Sequence, residues 1–279
     1  MTRLPPRRPA QASRPTKQNP AAITTITVVA ALVVLAVGWA LFIQRTQVRT
    51  DPSTLCPTEG PSAVTAILID ATDTYSPIQR TAVMNSLTEL VNHAQLYEQF
   101  AVFSIDANGA PLKPALVVCR PLKPDEVSEL TGNKALAKKR FDDVFRHRVD
   151  ELINAAIDRP ASDRSPIMEA IQAVSVGYLQ GAKVAAGNDQ LPRRLVVVSD
   201  MLENGEGGSH YSGTPDFANF RKSPAYARLR SNLDSVRIGV LYLHREVGAN
   251  VQGAAHAQFW SDWFQDQGAN VEYVRAIEG

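Results

Sequence analysis

Apolar residues recur along this chain in three rhythms, and each predicts a different kind of element. The first is an unbroken run. Residues 21–43 (AAITTITVVAALVVLAVGWALFI) are 23 positions without a charge, which at about 1.5 Å per residue span roughly 34 Å, enough to cross a hydrocarbon core of about 30 Å. No polar stripe recurs at helical period within the run, so a helix there has no face to turn to water. It is also too long for the apolar core of a cleaved signal peptide. One transmembrane helix is the expectation. The second rhythm is a set of short apolar runs of strand length at 64–69, 100–105, 115–119, 194–199, 237–243 and 271–274. The third is apolar spacing of three and four, which predicts helices over 77–96, 134–157, 165–183 and 254–266. Ser76 and Pro77 form a cap and first-turn pair for the first of these, and Pro166 stands in the first turn of the third. Leu136, Phe141, Val144, Phe145, Val149, Leu152, Ile153 and Ala156 line the apolar face of the 134–157 helix.

Alternation of strand and helix predicts an α/β domain, a doubly wound and mostly parallel six-stranded sheet covered on both faces. Asn108-Gly109, between two of the short runs, signals a hairpin and therefore one antiparallel edge strand. Four segments result: a tail at 1–20, the membrane helix at 21–43, a stalk at 44–61 containing Pro52, Pro57, Gly60 and Pro61, and the domain at 62–279.

Composition and charge refine this organisation. A chain 44% hydrophobic and 20% charged is neither disordered nor collagenous. The near balance of 29 Lys+Arg against 28 Asp+Glu hides an asymmetry, because Arg3, Arg7, Arg8, Arg14 and Lys17 precede the membrane run and no acid does. The positive-inside rule then keeps the N-terminus in the cytoplasm and sends the domain outward, to the periplasm or cell exterior if the membrane is a bacterial cytoplasmic one. What remains beyond the run is mildly acidic, without the basic stripe that nucleic-acid binding needs. Cys56 and Cys119 both fall in the exported part, where an oxidising compartment would let them pair; two buried thiols are the alternative.

In open α/β sheets, ligands bind beyond the carboxyl ends of the strands. Three polar features fall there: Asp70-Ala71-Thr72-Asp73-Thr74 after the first strand, Ser165 at a helix start, and Ser199-Asp200 ending the fourth strand. Alternate residues of an extended turn face one side, so Asp70, Thr72 and Thr74 offer one carboxylate and two hydroxyls, to which Ser165 and Asp200 add. That oxygen set suits a hard divalent cation, Mg²⁺ foremost.

On these residues the chain resembles the von Willebrand factor A domain family, whose metal-ion-dependent adhesion site is written DxSxS, then Thr, then Asp after a later strand. Asp70, Thr72 and Thr74 match the first run, Ser165 the Thr position and Asp200 the last, over about residues 62–279. Met201 stands where the family commonly has glycine. The resemblance implies a site for Mg²⁺, with Mn²⁺ or Ca²⁺ as alternatives, completed by an Asp or Glu of a protein partner, and hence a binding module rather than an enzyme. It also implies a sheet order with the antiparallel strand beside the second strand and the second beside the first. Cys119 then lies at the end away from the metal, within reach of Cys56, and their bridge would be a structural tether under the domain. Candidate partner contacts in the loops at the metal end are Tyr75, Glu203, His210, Tyr211, Phe217 and Phe220.

Two other readings use the same residues. A haloacid-dehalogenase-type phosphatase would make Asp70 its nucleophile and Ser199 a phosphate ligand, but needs an acid where Thr72 stands. A metal-independent envelope scaffold needs only the fold. His93, His147, His210, His244 and His256 are scattered in sequence, and no serine-protease-type triad, phosphate-cradling loop or zinc spacing is present.

Overall fold

The computed structural model describes residues 20–46, 48–105, 113–128, 132–158, 162–180, 191–213 and 215–279. The chain divides into two compact units, Met1–Val48 and Arg49–Gly279. In the first, α1 (Pro20–Thr46) is a single helix of 27 residues. Its stretch Thr24–Phe42 has a mean hydropathy of 2.5 and is long and apolar enough to cross a membrane. The basic tail at 1–19 lies outside the described residues.

The second unit runs in the order β1 (Ala63–Ile69), α2 (Pro77–Asn92), β2 (Glu98–Ser104), β3 (Leu116–Cys119), α3 (Lys134–Lys139), α4 (His147–Ile157), α5 (Ile167–Val174), β4 (Arg193–Ser199), β5 (Asn204–Gly205), β6 (Gly208–Ser209), α6 (Phe217–Phe220), α7 (Pro224–Arg228), β7 (Val236–Leu243), α8 (Ala254–Asp266) and β8 (Asn270–Ile277). Six strands make one sheet in the order β3-β2-β1-β4-β7-β8. All neighbours are parallel except β3, which pairs antiparallel with β2 at the edge. This is the α/β class that the sequence led us to expect, with the antiparallel strand beside the second and the second beside the first as the resemblance implied. The Asn108-Gly109 connection lies outside the described residues.

Both faces of the central strands are buried, and alternate residues serve different cores. Val64, Ala66 and Leu68 pack with α5 and α8 (Ile167, Ile171, Phe259, Trp263), whereas Ile67 and Ile69 pack with α2 and α4 (Val83, Leu87, Val149, Ile153). The aromatic group of α8 is core, as its spacing predicts. Between α3 and α4 the chain makes a π-helical turn at Arg140–Arg146. Phe141, Phe145, Val149, Ile153 and Ile157 are all buried. A strict spacing of four drifts about 40° per step on an α-helix, and the wider turn resets the phase so that the whole row faces the sheet.

The entry to α2 is a capping box. The Gln79 amide donates to the Ser76 hydroxyl, the Gln79 side chain accepts from the Ser76 amide, and Pro77 opens the helix. The helix ends at Asn92, short of the expected 96, and Tyr97 then takes a left-handed φ of 64° to enter β2. The stretch between β4 and β7, where the sequence pattern predicts no strand or helix, contains β5, β6, α6 and α7.

Residues 49–61 were expected to be part of a stalk, yet they belong to the second unit. Leu55 and Cys56 are buried, Thr50 bridges to Pro57, and the Cys119 amide donates to the Thr54 carbonyl. A Cys56–Cys119 disulfide fastens this segment to the edge strand, closing a separation of 63 residues. On the chain-entropy model such a loop stabilises by about 4 kcal/mol. Replacing both cysteines by serine is expected to lower unfolding free energy by roughly 2–5 kcal/mol, as read by denaturant titration of the full chain in detergent.

Candidate functional site

Parallel pairing places the carboxyl ends of β1, β4 and β7 side by side, and each strand hands its next residues to the same edge. Asp70 follows β1 and stays in the sheet's bonding pattern, its amide donating to the Val198 carbonyl at 2.8 Å. Its buried carboxylate gathers hydroxyls from three segments. Oδ1 accepts from the Thr72 hydroxyl at 2.6 Å and the Thr72 amide at 3.1 Å; Oδ2 accepts from the Ser199 hydroxyl at 2.7 Å and the Ser165 hydroxyl at 3.0 Å. Asp70, Thr72 and Ser165 are thus brought together as the motif positions imply. Ser199 joins them as a residue that strand-end reasoning noticed without assigning to this cluster.

Asp200 sits one residue on, also buried. Its Oδ1 accepts from the Leu202 amide at 2.9 Å, and its Oδ2 lies 3.3 Å from Nε of Arg245. Burial raises its pKa well above the ordinary carboxylate value, and the nearby Asp70 charge adds to the rise. Thr74 enters through its backbone: its carbonyl accepts from Arg245 Nη1, while its hydroxyl makes no bond to Asp70. Met201, where the resembled family commonly has glycine, adopts a left-handed φ of 60°. The Ser199 hydroxyl accepts its amide and Trp260 donates to its carbonyl. Buried methionine therefore holds the backbone shape that glycine adopts freely.

Arg245 was not expected in the cluster. It lies just beyond β7, and the strand-end rule that singled out Asp70 and Asp200 would have found it had the third strand end been inspected. Gln252 fixes the turn that carries it: its Oε1 accepts the Arg245 amide, and its Nε2 donates to the carbonyls of Asp200 and Leu243.

The six residues expected at a partner surface divide sharply. Tyr211 is exposed. Phe217 and Phe220 are half-buried, edge-on to Phe259 at 6.1 and 5.7 Å. Tyr75 points inward, its hydroxyl donating to the Asp70 carbonyl and its ring lying 5.3 Å from the Arg245 guanidinium. Glu203 is wholly buried, with Oε2 accepting the Met168 amide in the first turn of α5 at 2.8 Å. His210 is buried against Phe259 and Trp260. Glu203 and His210 are buried and Tyr75 is half-buried.

His210 also ends the expectation of scattered histidines. Its Nδ1 lies 2.9 Å from Nε2 of His256, whose Nδ1 lies 2.6 Å from the Tyr242 hydroxyl. Burial lowers both rings, His210 to about 3 and His256 to about 4, so the pair is neutral at ordinary pH. A cavity of about 370 Å³ beside it is lined by Gly208, Ser209, His210, Pro215, Phe220 and Phe259 among others.

Among the described residues no group of three or more His, Cys, Asp or Glu is placed to hold a metal. The cluster's donors are of a different kind: two carboxylates and the hydroxyls of Thr72, Ser165 and Ser199, each with lone pairs that rotation of its O–H bond can expose. All are hard oxygens, which fits Mg²⁺ or Mn²⁺ in chemistry; the guanidinium on Asp200 is the one element that does not.

No family model and no curated protein matches this chain. Among solved structures it is similar to an aerotolerance-related membrane protein from Bacteroides fragilis NCTC 9343, at 11% identity over 76% of this chain and 90% of that one, with a TM-score of 0.35. It is also similar to the conserved hypothetical protein BatB from Bacteroides thetaiotaomicron, at 12% identity over 78% and 91%, with a TM-score of 0.36. Neither likeness is close enough to carry function.

The buried titrating groups predict a stability maximum in mildly acidic to neutral solution. His210 and His256 bind protons more weakly folded than unfolded, so stability falls as pH drops from about 6.5 toward 3–4. Glu203 is raised to about 8, mainly by burial, so the folded state holds its proton better and stability falls as pH rises from 4.5 through 8. Glu203→Gln should make the alkaline limb shallower between pH 6.5 and 8 and leave unchanged the fall below pH 4.5, where Glu203 is protonated folded and unfolded alike, as measured by denaturant midpoints between pH 3 and 9.

Proposed function

We propose that the Arg49–Gly279 unit is a von Willebrand factor A-like binding module, anchored by α1 in a cytoplasmic membrane and facing outward, that takes a divalent cation and a protein partner. The observation that carries this reading is the convergence of Thr72 and Ser165 on Asp70 at the carboxyl edge of the sheet. Asp70, Thr72 and Ser165 would hold the ion, with Asp200 and Thr74 beside them. Mg²⁺ is the first choice, Mn²⁺ or Ca²⁺ the alternatives. When bound, the cation supplies an electrophilic centre for a carboxylate oxygen of the partner's Asp or Glu.

The chain's own contribution is positioning. The short hydrogen bonds to Thr72 and Ser199 hold Asp70 in one orientation, and the Tyr75 hydroxyl braces the loop that follows it. Tyr211 and the half-buried Phe217 and Phe220 are the outward groups of the following loop that a partner would meet.

The phosphatase reading gains nothing here. Four donors occupy the two Asp70 oxygens, and the position where that chemistry wants an acid carries the Thr72 hydroxyl, itself a donor to Asp70. A metal-independent scaffold has one observation in its favour, the Arg245 guanidinium on Asp200.

Thermal unfolding of the full chain in detergent, in EDTA and then in Mg²⁺ or Mn²⁺, tests the binding reading. Metal at a hundredfold excess over its dissociation constant should add about 2.7 kcal/mol of stability. Asp70→Ala should abolish the increment. Equal melting of the wild type with and without millimolar metal would favour the scaffold.

A further inference from the structure

One guanidinium borders the cluster at Asp200. Arg245 Nε lies 3.3 Å from Asp200 Oδ2. Its Nη1 donates to the Thr74 carbonyl and lies 3.4 Å from Gln79 Oε1. The plane sits over the Tyr75 ring at 5.3 Å. A single side chain therefore spans the turn after β1, the start of α2 and the segment after β4. Its backbone is clamped as well, because Gln252 accepts the Arg245 amide and Gln79 Nε2 donates to the neighbouring His244 carbonyl.

The electrostatics explain why such a residue is needed. Asp70 and Asp200 are both buried and repel each other, and Asp73 adds a third negative charge to the surroundings of Asp200. Taking carboxylates out of water without a counter-charge is costly. Arg245 supplies one from within the chain. Its side chain is 14% exposed, so one edge of it reaches solvent.

We infer that Arg245 is a tethered counter-cation that competes with a divalent ion for Asp200, so that the adhesion-type site is latched shut until metal displaces the guanidinium. The inference rests on the reading that the Asp70 cluster binds a divalent ion. It adds a mode of regulation. Displacement frees the Thr74 carbonyl and Tyr75 together with Asp200, so metal uptake and release of the turn after β1 become one event, and the surface offered to a partner changes as the ion enters.

The experiment is Mn²⁺ binding to the full chain in detergent, followed by loss of the free-ion electron paramagnetic resonance signal, for the wild type, Arg245→Met and Arg245→Lys, each with a melting curve as a folding control. Loss of a competing internal charge should tighten Mn²⁺ binding by about tenfold or more in Arg245→Met, and Asp200→Asn should remove the difference. Arg245→Lys keeps a charge without the planar fork and should fall between the two; it also serves if the methionine variant does not fold. Equal affinities in wild type and variants overturn the latch and leave the metal site standing. Absence of binding in every variant at millimolar Mn²⁺ overturns the latch together with the metal reading beneath it.

Discussion

A carboxylate buried at the end of the central strand constrains everything around it. Asp70 cannot be left unpaired away from water, and the chain meets that demand by bringing hydroxyls from its own turn and from two distant segments to its two oxygens. Those bonds tie the turn after β1, the approach to α5 and the end of β4 into one edge. The isolated bridge between Ser165 and Asn204 extends the tie to the segment after Asp200. Much of the buried polar chemistry of the domain lies at or near this edge, whereas the disulfide holds the segment at Cys56 to the edge strand β3.

The edge is also where charge is least balanced. Burial first and the nearby Asp70 charge second hold the Asp200 proton more tightly than usual, and Arg245 is the cation placed against it. A short distance along the same loop, Glu203 is buried where its Oε2 caps the first turn of α5, and the His210–His256 pair is kept neutral by burial. These groups give the 200–210 segment a rigid inner face. The segment that follows has Tyr211 exposed and Phe217 and Phe220 half-buried, and in the proposed reading it is the part left for recognition.

Much of this was legible from residue order because two periodicities carry it. Continuous apolar runs marked the buried parallel strands, and spacing of three and four marked the helices that cover them. Asp70, Thr72 and Ser165 were legible because strand ends in such sheets are where polar residues have a function to serve. Burial of Glu203 and His210 was not legible: a glycine-rich polar segment reads as solvated until a helix N-terminus and an aromatic cluster are known to lie beneath it. Arg245 also stands just past a strand end, but only the fold reveals which carboxylate it faces. The π-turn at Arg140–Arg146 had a faint signal in the spacing of four from Phe141 to Ile157.

The central claim is that Asp70, Thr72 and Ser165 form a cation site that Arg245 guards. Its most direct test is a crystal structure of the protein grown with Mn²⁺, with anomalous scattering recorded at the manganese edge. The account predicts an anomalous peak bounded by Asp70, Thr72 and Ser165, with the Arg245 guanidinium withdrawn from Asp200. A map without that peak, in which the hydroxyls still point at Asp70 and Arg245 still pairs with Asp200, would contradict it.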